Sequence, residues 1–183
     1  MDETVNQVQN MSSEKKTSAS RNIFDLLETL VWMLCIVLFI TTFLFKQAVV
    51  NQTSMINTLA NGDRLIISNL FYTPKNGDIV VFQGTDDKAL VKRIIAIGGQ
   101  TVSSKNGVVY VDGVRLDENY VYIDYPDSHA DFIVSVPENM IFVMGDHRNN
   151  SKDSRDFGCI SEDSIIGHVL FRITPFYKFG TVK

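Results

Sequence analysis

Apolar residues follow three different patterns along this chain. Residues 1–21 are polar, rich in Ser, Thr, Asn, Gln and Lys, and carry no apolar period, so disorder is expected there. From Thr29 to Phe45 (TLVWMLCIVLFITTFLF) the chain runs 17 residues without a charge. As a helix this run is about 26 Å long, and Leu26, Leu27 and the stem of Lys46 extend it enough to cross a bilayer. A helix buried inside a soluble domain is the other reading. A cleavable signal is disfavoured because FKQAVVNQT offers no clear small-x-small cleavage site.

Beyond residue 50 the pattern changes to short β-type runs: RLIIS (64–68), DIVVF (78–82), LVKRIIAI (90–97), VVYV (108–111), FIVSV (132–136), IFVMG (141–145) and IIGHVLFRI (165–173). PKNGD, GGQ, KNG, VDG, YPD and GDHRNN separate them, and Asn-Gly and Asp-Gly favour hairpin turns. No long 3.6-residue period and no internal repeat follows residue 50. The expectation is a mainly β fold: an antiparallel folded-over sheet or partial barrel at 49–183, behind a single transmembrane anchor at 26–48 and a cytoplasmic tail at 1–25.

Charge adds an orientation. Lys15, Lys16 and Arg21 precede the span and Lys46 closely follows it. The positive-inside rule places the N-terminus in the cytoplasm and the β-rich part outside. A net charge of −4 offers no basic field for nucleic acid. The two cysteines are Cys35, inside the apolar run, and Cys159. Neither CxxC nor HExxH occurs, so no metal site is expected.

Chemistry is sparse and ambiguous residue by residue. On a strand, Leu90, Lys92, Ile94 and Ala96 share one face, and Val91, Arg93, Ile95 and Ile97 the other. A lysine between Leu90 and Ile94 either extends to solvent or is buried, and burial would lower its pKa toward that of a general base. Ser54, in QTSMINTL, is a turn or cap residue or a nucleophile close to the membrane surface. MGDHRNNSKDSRDFG (144–158) is a solvated loop or a charged site wall, with Asp153 and Arg155 able to pair beside Ser151. His129, His147 and His168 show no recognisable triad signature.

Together these segments resemble the type I signal peptidases, in a compact form like that of Gram-positive bacteria. Ser54-Met55-Ile56-Asn57-Thr58-Leu59 is similar to the nucleophile box. Gly62-Asp63 and Gly77-Asp78-Ile79-Val80-Val81-Phe82 resemble the strand boxes, Val91–Gly99 the lysine box, and Gly145–Arg155 the last box. The order behind an anchor carries the resemblance, since each box alone is weak.

The resemblance implies a serine endopeptidase with Ser54 as nucleophile and Lys92 as general base. Ser151 would hold the lysine amine, Asp153 and Arg155 would pair to brace the wall, and Gly145 and Asp146 would shape the loop. The Ser54 N–H would donate to the oxyanion. Shallow pockets near Met55, Leu90 and Ile94 would admit small side chains. No cofactor is implied. The implied partners are secretory preproteins with small-x-small cleavage sites, the lipid bilayer and a nearby protein translocation channel. Two departures stand out. Asn57 replaces the family's proline, and Gln52 replaces a Ser or Gly that in some members supplies a second oxyanion donor. An idle relative assisting assembly of surface proteins is the alternative reading. A self-cleaving repressor-type protease lacks its DNA-binding module here, and a sorting protease would need a better context for Cys159.

Overall fold

The structure is a computed structural model that describes residues 23–42, 45–84, 88–124 and 130–182. Lys15, Lys16, Arg21, most of the polar tail, the Tyr125-Pro126-Asp127 turn and His129 lie outside the described residues. Two separate compact units, Met1–Phe43 and Leu44–Lys183, make up the chain.

Among its described residues the first unit contains one helix, α1 (Ile23–Thr42), long and apolar enough to cross a membrane. None of its most apolar stretch is buried, and Trp32, Phe39 and Leu34 are each more than half exposed. A core helix of a soluble domain would hide these side chains, so a lipid surrounding is the one that suits them. The sequence range 26–48 is not all helix. Lys46–Val49 forms a strand, because its backbone groups pair with Arg64–Ile67.

In chain order the second unit contains β1 (Lys46–Val49), β2 (Arg64–Ser68), β3 (Ile79–Gln83), β4 (Ala89–Ile97), β5 (Thr101–Lys105), β6 (Val108–Val111), β7 (Val114–Arg115), β8 (Phe132–Ser135), β9 (Met140–Met144), a short helix α2 (Ser154–Phe157), β10 (Ile160–Ser161) and β11 (Ile165–Thr174). A seven-stranded sheet has the order β1-β2-β11-β3-β4-β9-β10, and a four-stranded sheet the order β7-β6-β5-β8. All strand pairs are antiparallel, as the sequence predicts. β1 and β10 remain edges, so the larger sheet does not close into a barrel. The β5–β6 and β6–β7 hairpins turn on Asn106-Gly107 and Asp112-Gly113, all four at positive φ, the geometry that type I′ turns require.

Cores form on both faces of the larger sheet, which explains why β3 reads as an unbroken apolar run. Ile79 and Val81 pack with Met55, Leu59, Leu65 and Ile67 on one face. Val80 and Phe82 pack with Ile94, Ile141, Val143 and Ile165 on the other. A third cluster joins the two sheets through Ile95, Ala96, Phe142, Val102 and Val109.

Strict alternation along β4 fails at one place. Ile94 pairs with Val143, but Ala96 pairs with Phe142, so Ile95 is an extra, bulged residue. Ile97 therefore joins the cluster of Leu90 and Ile94, while Ala96, expected on the Lys92 face, turns to the inter-sheet cluster.

Candidate active site

The turn that carries Ser54 is pinned from below. Met55 and Leu59 are 1% exposed and sink into the first core cluster. Leu59 N–H donates to the Met55 carbonyl at 2.8 Å, and the ends are tied by Val50 N–H to Asp63 O (2.9 Å) and Gly62 N–H to Val50 O (2.7 Å). Arg172 donates to the Thr58 carbonyl at 2.9 Å and to Asp63 at 3.2 Å. The Ile56–Asn57 peptide is cis. Ser54 is left at the lip of a cleft, only 6% exposed.

Lys92 comes from the middle of β4, paired with Val80. It is 1% exposed, and its Nζ lies 2.6 Å from Ser54 Oγ. Burial lowers its pKa most. The charge of Asp153 opposes that, Arg155 adds to it, and Asp146 opposes it, with the outcome pulled down to about 8. A large fraction of the amine is therefore neutral near pH 8, with a lone pair facing the serine hydroxyl.

The third contributor is the segment after β9. Gly145 sits where no side chain fits. A Cβ there would lie 2.2 Å from Ser151 Oγ and 2.6 Å from the Ser54 carbonyl oxygen. His147 N–H donates to that same carbonyl at 3.0 Å. Asp153 is fully buried and caps α2. Its carboxylate accepts from Gly145 N–H (2.9 Å) and from Arg155 Nε and Nη2 (both 2.9 Å). Burial opposes its ionisation, but the Arg155 hydrogen bonds and charge, with the Gly145 amide, hold the carboxyl below its usual range.

Ser151 is placed beside Gly145, yet its Oγ makes no hydrogen bond. The hydroxyl is near enough to Asp153 to favour the ionised carboxylate without a bond of good geometry. The expected bond from Ser151 to the lysine amine is therefore not formed in this structure.

Arg93 is the residue that sequence reasoning passed over. It is 2% exposed and points from the opposite face of β4. Nε and Nη2 grip the two oxygens of fully buried Asp146 at 2.9 and 2.8 Å, and Nη1 donates to Gly77 O at 2.9 Å. Thr58 Oγ1 donates to the same carboxylate. Arg93 thus links the serine turn, the loop before β3 and the segment after β9. The signal was available in VKRIIAI: if Lys92 is buried on one face, its neighbour is buried on the other and needs an acid.

Two clefts flank Ser54. One, of about 570 Å³, is lined by Gln52, Leu90, Lys92, Asn150, Lys152 and others. The second, of about 460 Å³, has Val49, Val50, Met55, Ala89 and Val91 around Gln52. Gln52 lines both. Leu90 and Met55 each reach one. Ile94, expected as a pocket wall, is 0% exposed and packs with Val80, Phe82 and Ile141 instead.

Elsewhere, His168 stacks on Tyr72 and bonds Ser68 O, remote from the serine turn, and His147 turns its ring to Asp124. Among the described residues no three His, Cys, Asp or Glu side chains gather to hold a metal ion.

Comparison with known proteins bears on this geometry. The family described as "Signal peptidase, peptidase S26" matches residues 23–174. A "Probable signal peptidase I-1" of Synechocystis sp. is 40% identical over 159 residues, covering 80% of each chain. "Signal peptidase I P" of Bacillus subtilis subsp. natto is 36% identical over 167 residues, 84% of this chain and 90% of that one. A crystal structure of a signal peptidase I from Enterococcus faecalis is 32% identical with a TM-score of 0.47, over 52% of this chain and 96% of that one.

Proposed function

The chain belongs to the signal peptidase family, peptidase S26, and from that premise we propose that it removes signal peptides from secreted preproteins with a Ser54–Lys92 dyad. The observation that supports the dyad is the 2.6 Å contact between Ser54 Oγ and a buried Lys92 amine whose pKa is pulled toward 8.

Neutral Lys92 accepts the Ser54 proton as Oγ attacks the scissile carbonyl carbon. The Ser54 N–H, with Gln52 at the lip of both clefts, faces the developing oxyanion. Collapse breaks the C–N bond, and the proton on Lys92 passes to the leaving amine. Water then attacks the acyl ester, giving its proton to Lys92, and as the ester C–O bond breaks Lys92 returns that proton to Ser54 Oγ, which leaves a free acid, a serine hydroxyl and a neutral lysine.

The substrate adds as an extended strand beside 88–91. Its small side chains enter the second cleft over Met55, Ala89 and Val91. Helix α1 anchors the enzyme in the membrane. Lys15, Lys16 and Arg21 keep the N-terminus in the cytoplasm, so the site works on the outer face, beside the channel that delivers the preprotein.

The test is cleavage of a peptide containing a signal cleavage site by the full chain in detergent. Ser54→Ala and Lys92→Ala are expected to lose at least about 10³-fold in kcat/KM while keeping the wild-type circular dichroism. The acid limb of kcat/KM against pH is expected to titrate near 8. Undiminished cleavage by either variant, or a profile flat from about pH 6 to 9, defeats the dyad. An inactive wild type returns the chain to the idle-factor reading.

A further inference from the structure

Residues 118–124 turn once, with Val121 N–H donating to Glu118 O at 3.2 Å, and continue to a bridge between Tyr122 and His147, a stretch that the serine, the lysine and the last box leave unused. Every second side chain turns to the loop 145–148 or to the arginine that holds it. Glu118 accepts from Arg148, with Nη1 to Oε2 at 3.1 Å and a second, closer contact. The Arg148 side chain is 3% exposed, and Glu118, itself half-buried, is its counter-charge. The Tyr120 ring lies under the Arg93 guanidinium, 3.9 Å from its carbon. Tyr122 N–H donates to Asp146 O at 2.8 Å, Arg148 N–H returns to Tyr122 O at 3.1 Å, and the Tyr122 ring meets the His147 ring edge-on. Asp124 Oδ1 lies 3.1 Å from His147 Nε2.

These contacts end on two residues of the serine turn. His147 N–H donates to the Ser54 carbonyl, and Asp146 binds Thr58 of the same turn. A loop this polar has few apolar contacts to hold it, so ion pairs and rings must fix it.

We propose that residues 118–124 form a positioning strap, in which Glu118, Tyr120, Tyr122 and Asp124 hold the loop 145–148 and, through the His147 amide, keep Ser54 aligned with Lys92. The idea rests on the proposed Ser54–Lys92 reaction for its kinetic consequence, though not for its structural one. An ångström of misalignment at a reacting atom costs on the order of 100-fold in rate. The strap touches neither cleft wall named above, so its loss acts on the chemical step and spares substrate binding.

The experiment compares the full chain in detergent micelles with Glu118→Ala, Tyr120→Ala and Tyr120→Phe. It measures kcat, KM, the folded fraction by thermal melting, and hydrogen exchange of the peptide containing the His147 amide. For the two alanine variants, kcat is expected to fall roughly 10- to 100-fold per folded molecule. KM stays within about twofold and His147 exchanges faster. Tyr120→Phe, which keeps the ring face, restores both. The proposal is overturned if kcat per folded molecule is unchanged, if KM rises while kcat holds, or if His147 exchange does not change. A wild type that cleaves nothing defeats the proposed function, and His147 exchange then still decides the strap.

Discussion

Lys92 and Arg93 are neighbours on one strand, both cations, both about 98–99% hidden from solvent, and the protein treats them in opposite ways. Arg93 receives a full set of partners: a bidentate carboxylate, a carbonyl, a hydroxyl and an aromatic face. A guanidinium does not give up its charge in proteins, so burial has to be met with compensation. Lys92 receives one hydroxyl at 2.6 Å, with the carboxylates of Asp153 and Asp146 acting only through space. An amine can answer burial by losing its proton. The difference lies in the partners: the satisfied cation holds the turns together, and the under-satisfied one has its pKa pulled down to about 8.

Four substitutions sharpen or break this contrast. Arg93→Met leaves the fully buried Asp146 without its counter-charge and is expected to cost about 3–5 kcal/mol of stability, read by chemical denaturation. Adding Asp146→Leu should recover most of that, and a double variant no better than the single one would show that Arg93 does more than neutralise Asp146.

Lys92→Met should act with the opposite sign. The folded pKa is about 8 against 10.5 unperturbed. Between those values the unfolded chain binds more protons than the folded one, so stability rises with pH. Below about pH 8 the wild type carries the whole penalty. The methionine variant should therefore be more stable by about 3 kcal/mol at pH 7, and the gap should close as pH approaches 10.5. It should also be inactive. A variant that is less stable than wild type at pH 7 would place Lys92 in the same class as Arg93.

The smallest effect belongs to Gly145→Ala. Its Cβ would press on Ser151 Oγ and the Ser54 carbonyl. Overpacking of this kind costs about 1–3 kcal/mol, and kcat should fall by more than the melting temperature accounts for. Wild-type kcat in that variant would mean that the close approach serves packing alone.

Much of this was legible in the chain. Asn106-Gly107 and Asp112-Gly113 announced their hairpins because positive φ is a local demand. The run through Phe39 announced a span because its apolarity is local too. The candidate site was only partly legible. Ser54, Lys92, Gly145, Asp153 and Arg155 came together as the motif order implied. Ile94 and Ser151 did not take the places expected of them. Ile94 faces its neighbours across the sheet, which follows from register. Ser151 depends on how the loop closes on Gly145.

Composition and periodicity therefore determined the span, the antiparallel β class and the turn positions, while the residues able to do chemistry were named only by the family resemblance of their motifs. The first three depend on a few adjacent residues and their dihedral preferences. The tertiary structure decided how those residues are placed. It buried Lys92 against a serine 38 positions away, matched Arg93 to an acid 53 positions away, and swapped the faces of β4 at Ile95. Burial, pairing and register belong to the packed sheet, where a cation's protonation is set by partners that local sequence does not contain.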